Sequence, residues 1–458
     1  MKKYISAFLY ICLSAITLTL SGCGIYGKYH PTTEVPDNLY GNVQSGDSAA
    51  NFGLVRWQDV FTDPYLQQLI EKALSNNIDL KIAREHVKQA EAGLLGAKLA
   101  YLPTISLVPS AGFSPQYDIK QGNYDLVAQA QWEIDIFGRT LNGLRGAKAA
   151  KRMTEDYEQA ARCGLIAAVA EVYYTLLMLD AQLATAEQTS VTWSKTANTI
   201  KRMKLAGMAN EAAVAQLEAT QYAINTQVIA IKESINAVEN SMSLLLGGTR
   251  MEIKRNTLAD QTLPTDMQTG IPAQLLYNRP DVMAAQEAMA QAFYATNLAR
   301  SNCLPSLNLS GLIGWTNHSY NVVLDPMTLI SSLAASLFVP IFNSGRNIAQ
   351  VRAAKSQQEE SVMQFTKVVL AAGNEVNEAL IKYQTCEQKS KLYDKQVEAL
   401  TRAMNSTQLT MQHGSTTYLE VLNAQNTLLN AQLTQIANQT EQNLAVVKLY
   451  HALGGGKE

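Results

Sequence analysis

Proline is missing between Pro115 and Pro264 and again after Pro340, although the 458-residue chain contains twelve. Proline removes a backbone donor and breaks helix interiors, so both stretches are free to be almost entirely helical. Cysteine is scarce: Cys12, Cys23, Cys163, Cys303 and Cys386. No disulfide framework can be read from so scattered a set, and the last three are expected to pack as small apolar residues. No long block of one charge occurs, and 37 Lys+Arg against 39 Asp+Glu leave a net charge of −2. That balance points to no nucleic-acid partner. The histidines His30, His86, His318, His413 and His451 lie far apart, outside any HExxH spacing. GxSxG, P-loop and Rossmann glycine patterns are missing too. No enzyme, cofactor or metal site is therefore expected. Fourteen methionines are present, but Met203 and Met208, or Met404 and Met411, fall at ordinary helix spacings and read as packing rather than a soft-metal relay.

The N-terminus reads as a targeting segment: Lys2 and Lys3, then an apolar run from Tyr4 to Leu20. It is too short and wrongly flanked for a stable membrane span. Leu20-Ser21-Gly22-Cys23 resembles a lipobox, which implies a signal peptide over 1–22 and a covalent lipid, an N-acyl diacylglycerol, on Cys23. Gly24, rather than aspartate, favours sorting to the outer membrane. Residues 23–56, with their prolines and polar side chains, read as a lipidated extended arm.

Two stretches end alike, "WEIDIFGR" at Arg139 and "FVPIFNSGR" at Arg346, 207 positions apart. Gly207 and Gly414 repeat that offset. Upstream the offset is 202, where Ala83, Ala90, Ala97, Lys98 and Pro103 meet Ala285, Ala292, Ala299, Arg300 and Pro305. An insertion in one copy produces such a difference. Chance matching of Ala-rich helices explains the alanines but not the whole ordered set. The chain therefore reads as two tandem units of roughly 200 residues, one over 57–263 and one over 264–458.

Each unit contains a helical run far longer than a globular core uses; Leu141 to Leu205 would reach about 100 Å at roughly 1.5 Å per residue. Leu165, Val169, Val172, Leu176, Leu179 and Leu183 step by 4, 3, 4, 3, 4, and Phe365, Val369, Ala372, Val376, Ala379 and Tyr383 repeat the steps. These are coiled-coil seams, although a core helix in a bundle shares the period. Gly207 and Gly414 suit the turns where each long helix reverses.

Ahead of each long helix the period changes to two. Tyr124, Leu126, Ala128, Ala130, Trp132, Ile134 and Ile136 alternate with mostly polar neighbours, and Ile105, Leu107, Ala111 and Phe113 do likewise. Leu307, Leu309, Gly311, Ile313 and Trp315 follow in the second unit, with Leu329 to Val339 as a fourth, more uniformly apolar candidate. Strand pairs are thus expected over 103–137 and 304–340. Their length of about 10 residues is that of a tilted transmembrane strand. Four strands cannot close a barrel, and an open edge in lipid leaves backbone groups unpaired. Three chains would supply twelve strands, within the range of closed outer-membrane barrels; a soluble β-layer under helices is the alternative.

The ordered set "FTDPYLQQLIEKALSNNIDL", "LPTISL", "WEIDIFGR", "IPAQLLYNRPDV", "LPSLNLSG", "PIFNSGR", "GSTTYLEVLNAQNTLLNAQ" and "LYHALGGG" resembles the TolC-like outer-membrane efflux proteins, from about Trp57 to Gly456. Within them it is most similar to the lipoprotein members of the OprM/NodT type. The resemblance implies a mainly α protein with a small β part. Three chains would form one 12-stranded β-barrel, four strands from each, continued by a long coiled-coil barrel. It implies a passive exit duct for drugs, toxic compounds or metal ions, working with a periplasmic adaptor and an inner-membrane pump, expected to be of the RND type. Gly138, Arg139, Gly345 and Arg346 would mark the strand-to-helix bends. The turns at Gly207 and Gly414 would meet the adaptor. Glu420 and Asn423 match the positions where the family closes its periplasmic aperture, often with two aspartates; one carboxylate and one amide stand here. A periplasmic coiled-coil structural or adaptor-type lipoprotein is the competing reading. It explains Cys23 and the helices but not the four strands.

Overall fold

The computed structural model describes residues 26–31, 39, 51–114, 121–264, 275–317, 329–412 and 417–457. Helices α1 (Trp57–Val60), α2 (Pro64–Asn76) and α3 (Ile78–Leu99) precede strands β1 (Thr104–Ser114) and β2 (Gln121–Ile134). Next come α4 (Arg139–Leu205) and α5 (Glu211–Leu245). The second half repeats the order with α6 (Leu275–Asn278), α7 (Pro280–Ser301), β3 (Ser306–Asn317), β4 (Leu329–Phe338), α8 (Arg346–Gln412) and α9 (Tyr418–Ala452). Matching helices have equal lengths: 67 residues for α4 and α8, 35 for α5 and α9, and 22 for α3 and α7. The strands are shorter than expected at their ends: β2 stops at Ile134 and β4 at Phe338. Helix α4 starts at Arg139 rather than Leu141. The loops between paired strands, 115–120 and 318–328, lie outside the described residues, as do Cys23, Gly414 and the signal segment.

The chain divides into two compact units, and neither coincides with one sequence copy. The first takes 1–32, 85–155 and 284–367, the second 33–84, 156–283 and 368–458. Each unit draws on both copies; in the first, the copies meet where β2 pairs with β3.

In the first unit the strands form an antiparallel sheet in the order β1-β2-β3-β4. Residues directly opposite share a face, so the register sorts the side chains. Ile105, Ala130, Gly311 and Leu333 form one row, and Leu107, Ala128, Ile313 and Ser331 the next. On the other face Ser106, Gln129, Leu312 and Ser332 align, and Ser110, Asp125 and Thr316 follow. Asp125 accepts hydrogen bonds from Ser110 Oγ and Thr316 Oγ1. One face is thus mainly apolar and the other mainly polar, and slipping by one residue would exchange them. Gly314 permits the close approach of β2 and β3, since a Cβ there would lie 2.2 Å from the Leu126 carbonyl oxygen.

The second unit is built on the long helices. Leu165, Val169, Leu176 and Leu179 are buried, as are Val369, Ala372, Val376 and Ala379, and Phe365 on the part of α8 that belongs to the first unit; Val172, Leu183 and Tyr383 are half-buried. On α4 the buried face is wider than a coiled-coil seam, because Ile166, Ala170, Tyr173, Tyr174 and Leu177 are buried too. Asp63 caps α2 through the Tyr65 amide at 2.9 Å, with Pro64 in the first turn. The same carboxylate accepts from Tyr173 Oη at 2.6 Å, Gln261 Nε2 at 2.7 Å and Asn256 Nδ2 at 3.1 Å. Burial and this hydrogen bond raise the Tyr173 hydroxyl well above its ordinary pKa.

Tyr26 of the N-terminal arm lies beside Gly138 of the first copy, whereas other described parts of the arm lie against second-copy elements. Tyr29 stacks on Phe293 and Tyr294 of α7, with ring centroids 5.6 and 6.2 Å away. Leu39 sits over Gly373 of α8, and Gly53 over Leu453.

Candidate functional site

Both strand-to-helix bends use a glycine in the left-handed region, Gly138 at φ 69 and Gly345 at φ 72. In the first, Asp135 accepts from the Leu141 amide at 2.8 Å and so supplies the cap of α4. Arg139 pairs with Glu133 at 3.3 Å. In the second, Asn343 accepts from the Asn347 amide at 3.3 Å, and Asn347 donates to the Asn302 carbonyl at 2.7 Å. Arg346 opens α8 and has no ion pair among the described residues.

At the far end of α4, Gly207 has φ 75. Its amide donates to the Lys204 carbonyl, and the Met208 amide to that of Met203. This is the Schellman arrangement, which satisfies carbonyls that a helix end leaves open. Asn210 then caps α5 through the Ala213 amide at 2.9 Å. Lys204 pairs with Glu211 across the turn, and Lys201 with Glu218 at 2.8 Å.

Glu420 and Asn423 stand exposed on the first turns of α9. Three residues apart, they are neighbours on one face. The opposite face, with Val421, Leu422 and Leu429, is buried in one cluster with Trp193, Ile200, Val214 and Leu217 of α4 and α5. Met203 and Ala209 beside the Gly207 turn join that cluster, as does Tyr418. The first-copy turn and the end of α9 that carries Glu420 and Asn423 are therefore tied together by apolar packing.

Two further glycines, missed in the sequence, carry the same offset of 207: Gly247 at φ 67 and Gly454 at φ 84. Each closes a helix by Schellman bonds and each rests on a carbonyl from the start of its own copy. A Cβ would lie 2.4 Å from the Asn76 oxygen at Gly247 and 2.4 Å from the Asn278 oxygen at Gly454. Asn76 and Asn278 are 202 apart, so both offsets could have revealed the contact. The next residues repeat a role with different chemistry. Asn77 Nδ2 donates to the Leu245 carbonyl at 2.9 Å, and Arg279 Nη1 to the Ala452 carbonyl at 3.0 Å. Arg279 also holds Asp281 and Glu375, each at 2.6 Å. Burial acts to raise the Asp281 pKa, but the Arg279 hydrogen bond and charge outweigh it, leaving the carboxyl below its ordinary value.

A cleft of about 670 Å³ is lined by Glu171, Glu375, Glu378, Lys382, Glu441 and His451, among others. Lys382 and Glu441 neutralise each other at 2.6 Å. Burial, then the positive charge of Arg279, pushes the His451 pKa down. Among the described residues no three His, Cys, Asp or Glu side chains stand close enough to hold a metal ion.

A sheet with one apolar and one polar face, joined to long paired helices in a duplicated chain, defines the protomer of an outer-membrane channel. The family model for outer membrane efflux proteins matches the chain twice, over 69–248 and 271–455. The chain belongs to that family; it is an outer-membrane efflux channel protein, a class that works by conduction rather than catalysis. It is 26% identical over 450 residues to the cation efflux system protein CusC of Escherichia coli O6:H1, covering 96% of this chain and 97% of that one. It is 28% identical over 467 residues to the pyoverdine export outer membrane protein OpmQ of Pseudomonas putida, covering 98% and 97%. The structure of the outer-membrane channel OprN superposes with a TM-score of 0.85 at 23% identity, over 94% of this chain and 99% of that one.

Proposed function

We propose that three copies of this chain form one conduit through the outer membrane, serving as the passive exit duct of a tripartite pump. The observation that carries this reading is the sheet: its register separates apolar from polar rows, while the outer edges of β1 and β4 pair with no other strand among the described residues. In lipid an open edge costs several kcal/mol for each unpaired backbone group. Joining β4 of one copy to β1 of the next removes every edge and gives a twelve-stranded barrel, within the known size range. The apolar face then meets lipid and the polar face lines water, so solutes cross without catalysis.

The two copies, 57–263 and 264–458, each supply a strand pair and a helix pair. Cys23, carrying an N-acyl diacylglycerol, anchors the arm to the same membrane, and the arm leads from there to α1. The turns at Gly207 and Gly414 meet a periplasmic adaptor, through which an inner-membrane pump of the RND class delivers drugs, toxic compounds or metal ions. Glu420 and Asn423 of three chains ring the periplasmic aperture; with one carboxylate per chain, the ring favours cations without binding them tightly. Gly138, Arg139, Gly345 and Arg346 shape the bends and do not touch cargo.

Single-channel conductance of the detergent-extracted protein in a planar bilayer tests the reading. A small, cation-biased conductance is expected, becoming larger and less selective in Glu420→Ala and Asn423→Ala. Failure to form an oligomer or enter the membrane would favour the coiled-coil lipoprotein instead.

A further inference from the structure

The apolar cluster that seats the start of α9 on α4 and α5 encloses two buried side chains, Gln425 and Trp193, whose polar groups have no partner among the described residues. Gln425 lies between Leu422 and Leu429 on the buried face of α9, 5% exposed, and neither its Oε1 nor its Nε2 makes a hydrogen bond. Trp193 of α4 is fully buried in the same cluster, and its Nε1 is likewise unpartnered. Their surroundings are otherwise well paired. On α4, Ser190 donates to Asn225 of α5 at 2.8 Å, and Ser194 accepts from Gln221 at 2.7 Å. In the first copy the position matching Gln425 is Glu218, which sits at the surface and pairs with Lys201 at 2.8 Å. Only in the second copy is this polar position buried.

We infer that Gln425 is a positioning residue, a weak point built into the seam that lets the first turns of α9 leave their seat and regain water. A buried amide with no partner raises the free energy of the seated state, whereas the same amide is fully hydrogen-bonded once hydrated. Turns of roughly 100° per residue place Gln425 about 140° from Glu420 and about 160° from Asn423 around the helix axis. Rotating or lifting this end of α9 therefore moves the two exposed aperture positions and withdraws Gln425 in one motion. The apolar residues on either side, Val421, Leu422, Leu428 and Leu429, hold the seat; the amide limits how firmly.

The link to conduction rests on the channel reading above, but the seam itself is tested without it. Hydrogen–deuterium exchange is measured on the full-length oligomer in detergent for the native chain, Gln425→Leu and Gln425→Met. Met keeps the unbranched shape, so a packing fault peculiar to Leu is separated from loss of the amide. Amides over 418–432 are expected to exchange on the order of tenfold more slowly in Gln425→Met, with Gln425→Leu moving the same way unless its branch clashes. The open fraction in a planar bilayer falls in parallel. Unchanged or faster exchange in both Gln425 variants would show that the amide strengthens the seam and would overturn the inference. Slower exchange with no conductance from any variant, native included, would leave the seam assignment standing and overturn its link to conduction.

Discussion

Helices α4 and α8 have the same length and begin after the same Gly-Arg bend, yet they are buried differently. Beyond residue 160, α4 buries aromatic and branched side chains along nearly its whole course, from Cys163 through Tyr173, Tyr174 and Leu177 to Trp193 and Ile200. Helix α8 buries a stretch from Phe365 to Leu380, then only Cys386 and Met411 among its described residues, while Leu392 and Leu409 stand exposed. Their partners differ in the same way: the buried face at the start of α9 is used on the α4–α5 cluster. Duplication has kept backbone length and turn geometry in both copies and let burial diverge. The first copy holds the second by its apolar face, and the distal half of α8 stays largely exposed in the single chain.

If turn geometry is what the copies share, its glycines should be the least replaceable residues. Gly454→Ala and Gly247→Ala each combine a left-handed backbone with a Cβ driven to 2.4 Å from a carbonyl oxygen. Each is expected to destabilise the protein by about 3–4 kcal/mol, read as an early loss of helical circular dichroism on heating. Gly207 has a similar φ but nothing within 4 Å of a Cβ, so Gly207→Ala should cost only about 1 kcal/mol. Equal effects at all three positions would mean that the close approach to Asn76 and Asn278 is not what those glycines serve.

The next contrast is between Asn77 and Arg279, which reach equivalent carbonyls with different groups. Arg279→Ala strands a carbonyl and two carboxylates, but Asp281 and Glu375 are partly solvated, so about 2–3 kcal/mol is expected. Asn77→Ala removes one hydrogen bond and the cap on Leu80, worth about 1–2 kcal/mol. Only the second-copy site responds to acid. The folded-state pKa of Asp281 is lower than its unfolded value. Its contribution is therefore complete above about pH 4 and is lost as pH falls through the lowered value. In Arg279→Ala that share of the acid dependence should disappear, whereas Asn77→Ala should keep it; unfolding midpoints between pH 2 and 6 decide.

Much of this architecture was legible because it rests on periodic features. The proline gaps marked the helical stretches, most of the 4–3 steps fell on buried residues while Val172, Leu183 and Tyr383 are only half-buried, and the alternation after Pro103 and Pro305 matched strands whose register aligns like with like. The roles expected for Glu420, Asn423 and the two turns come from resemblance alone; the structure adds that Met203, Ala209 and Tyr418 gather in one cluster between the Gly207 turn and the start of α9. What periodicity does not record is a contact between residues far apart in sequence. Asp63 meets Tyr173, Asn256 and Gln261 across 110 to 198 positions, and nothing local to any of them signals the meeting. Gln425 escapes for a different reason. On a helix rich in Asn and Gln its residue type is unremarked, and only burial separates it from its neighbours.

The smallest expected effect concerns the feature that is most conspicuous in the sequence, the repeated Gly-Arg. Arg139 faces Glu133 at 3.3 Å, but both side chains are substantially exposed. Such pairs contribute about 0–1 kcal/mol, because solvent screens the charges and two long side chains lose freedom. Arg346 has no corresponding ion pair among the described residues. Arg139→Ala should therefore lower stability by about 0.5 kcal/mol and lose most of that difference in high salt, while Arg346→Ala should change it by less. Neither should alter conductance or ion preference if the bends only shape the backbone. A clear change in ion preference for either variant would instead place its guanidinium on the conducted path, and the shared motif would then serve transport rather than folding.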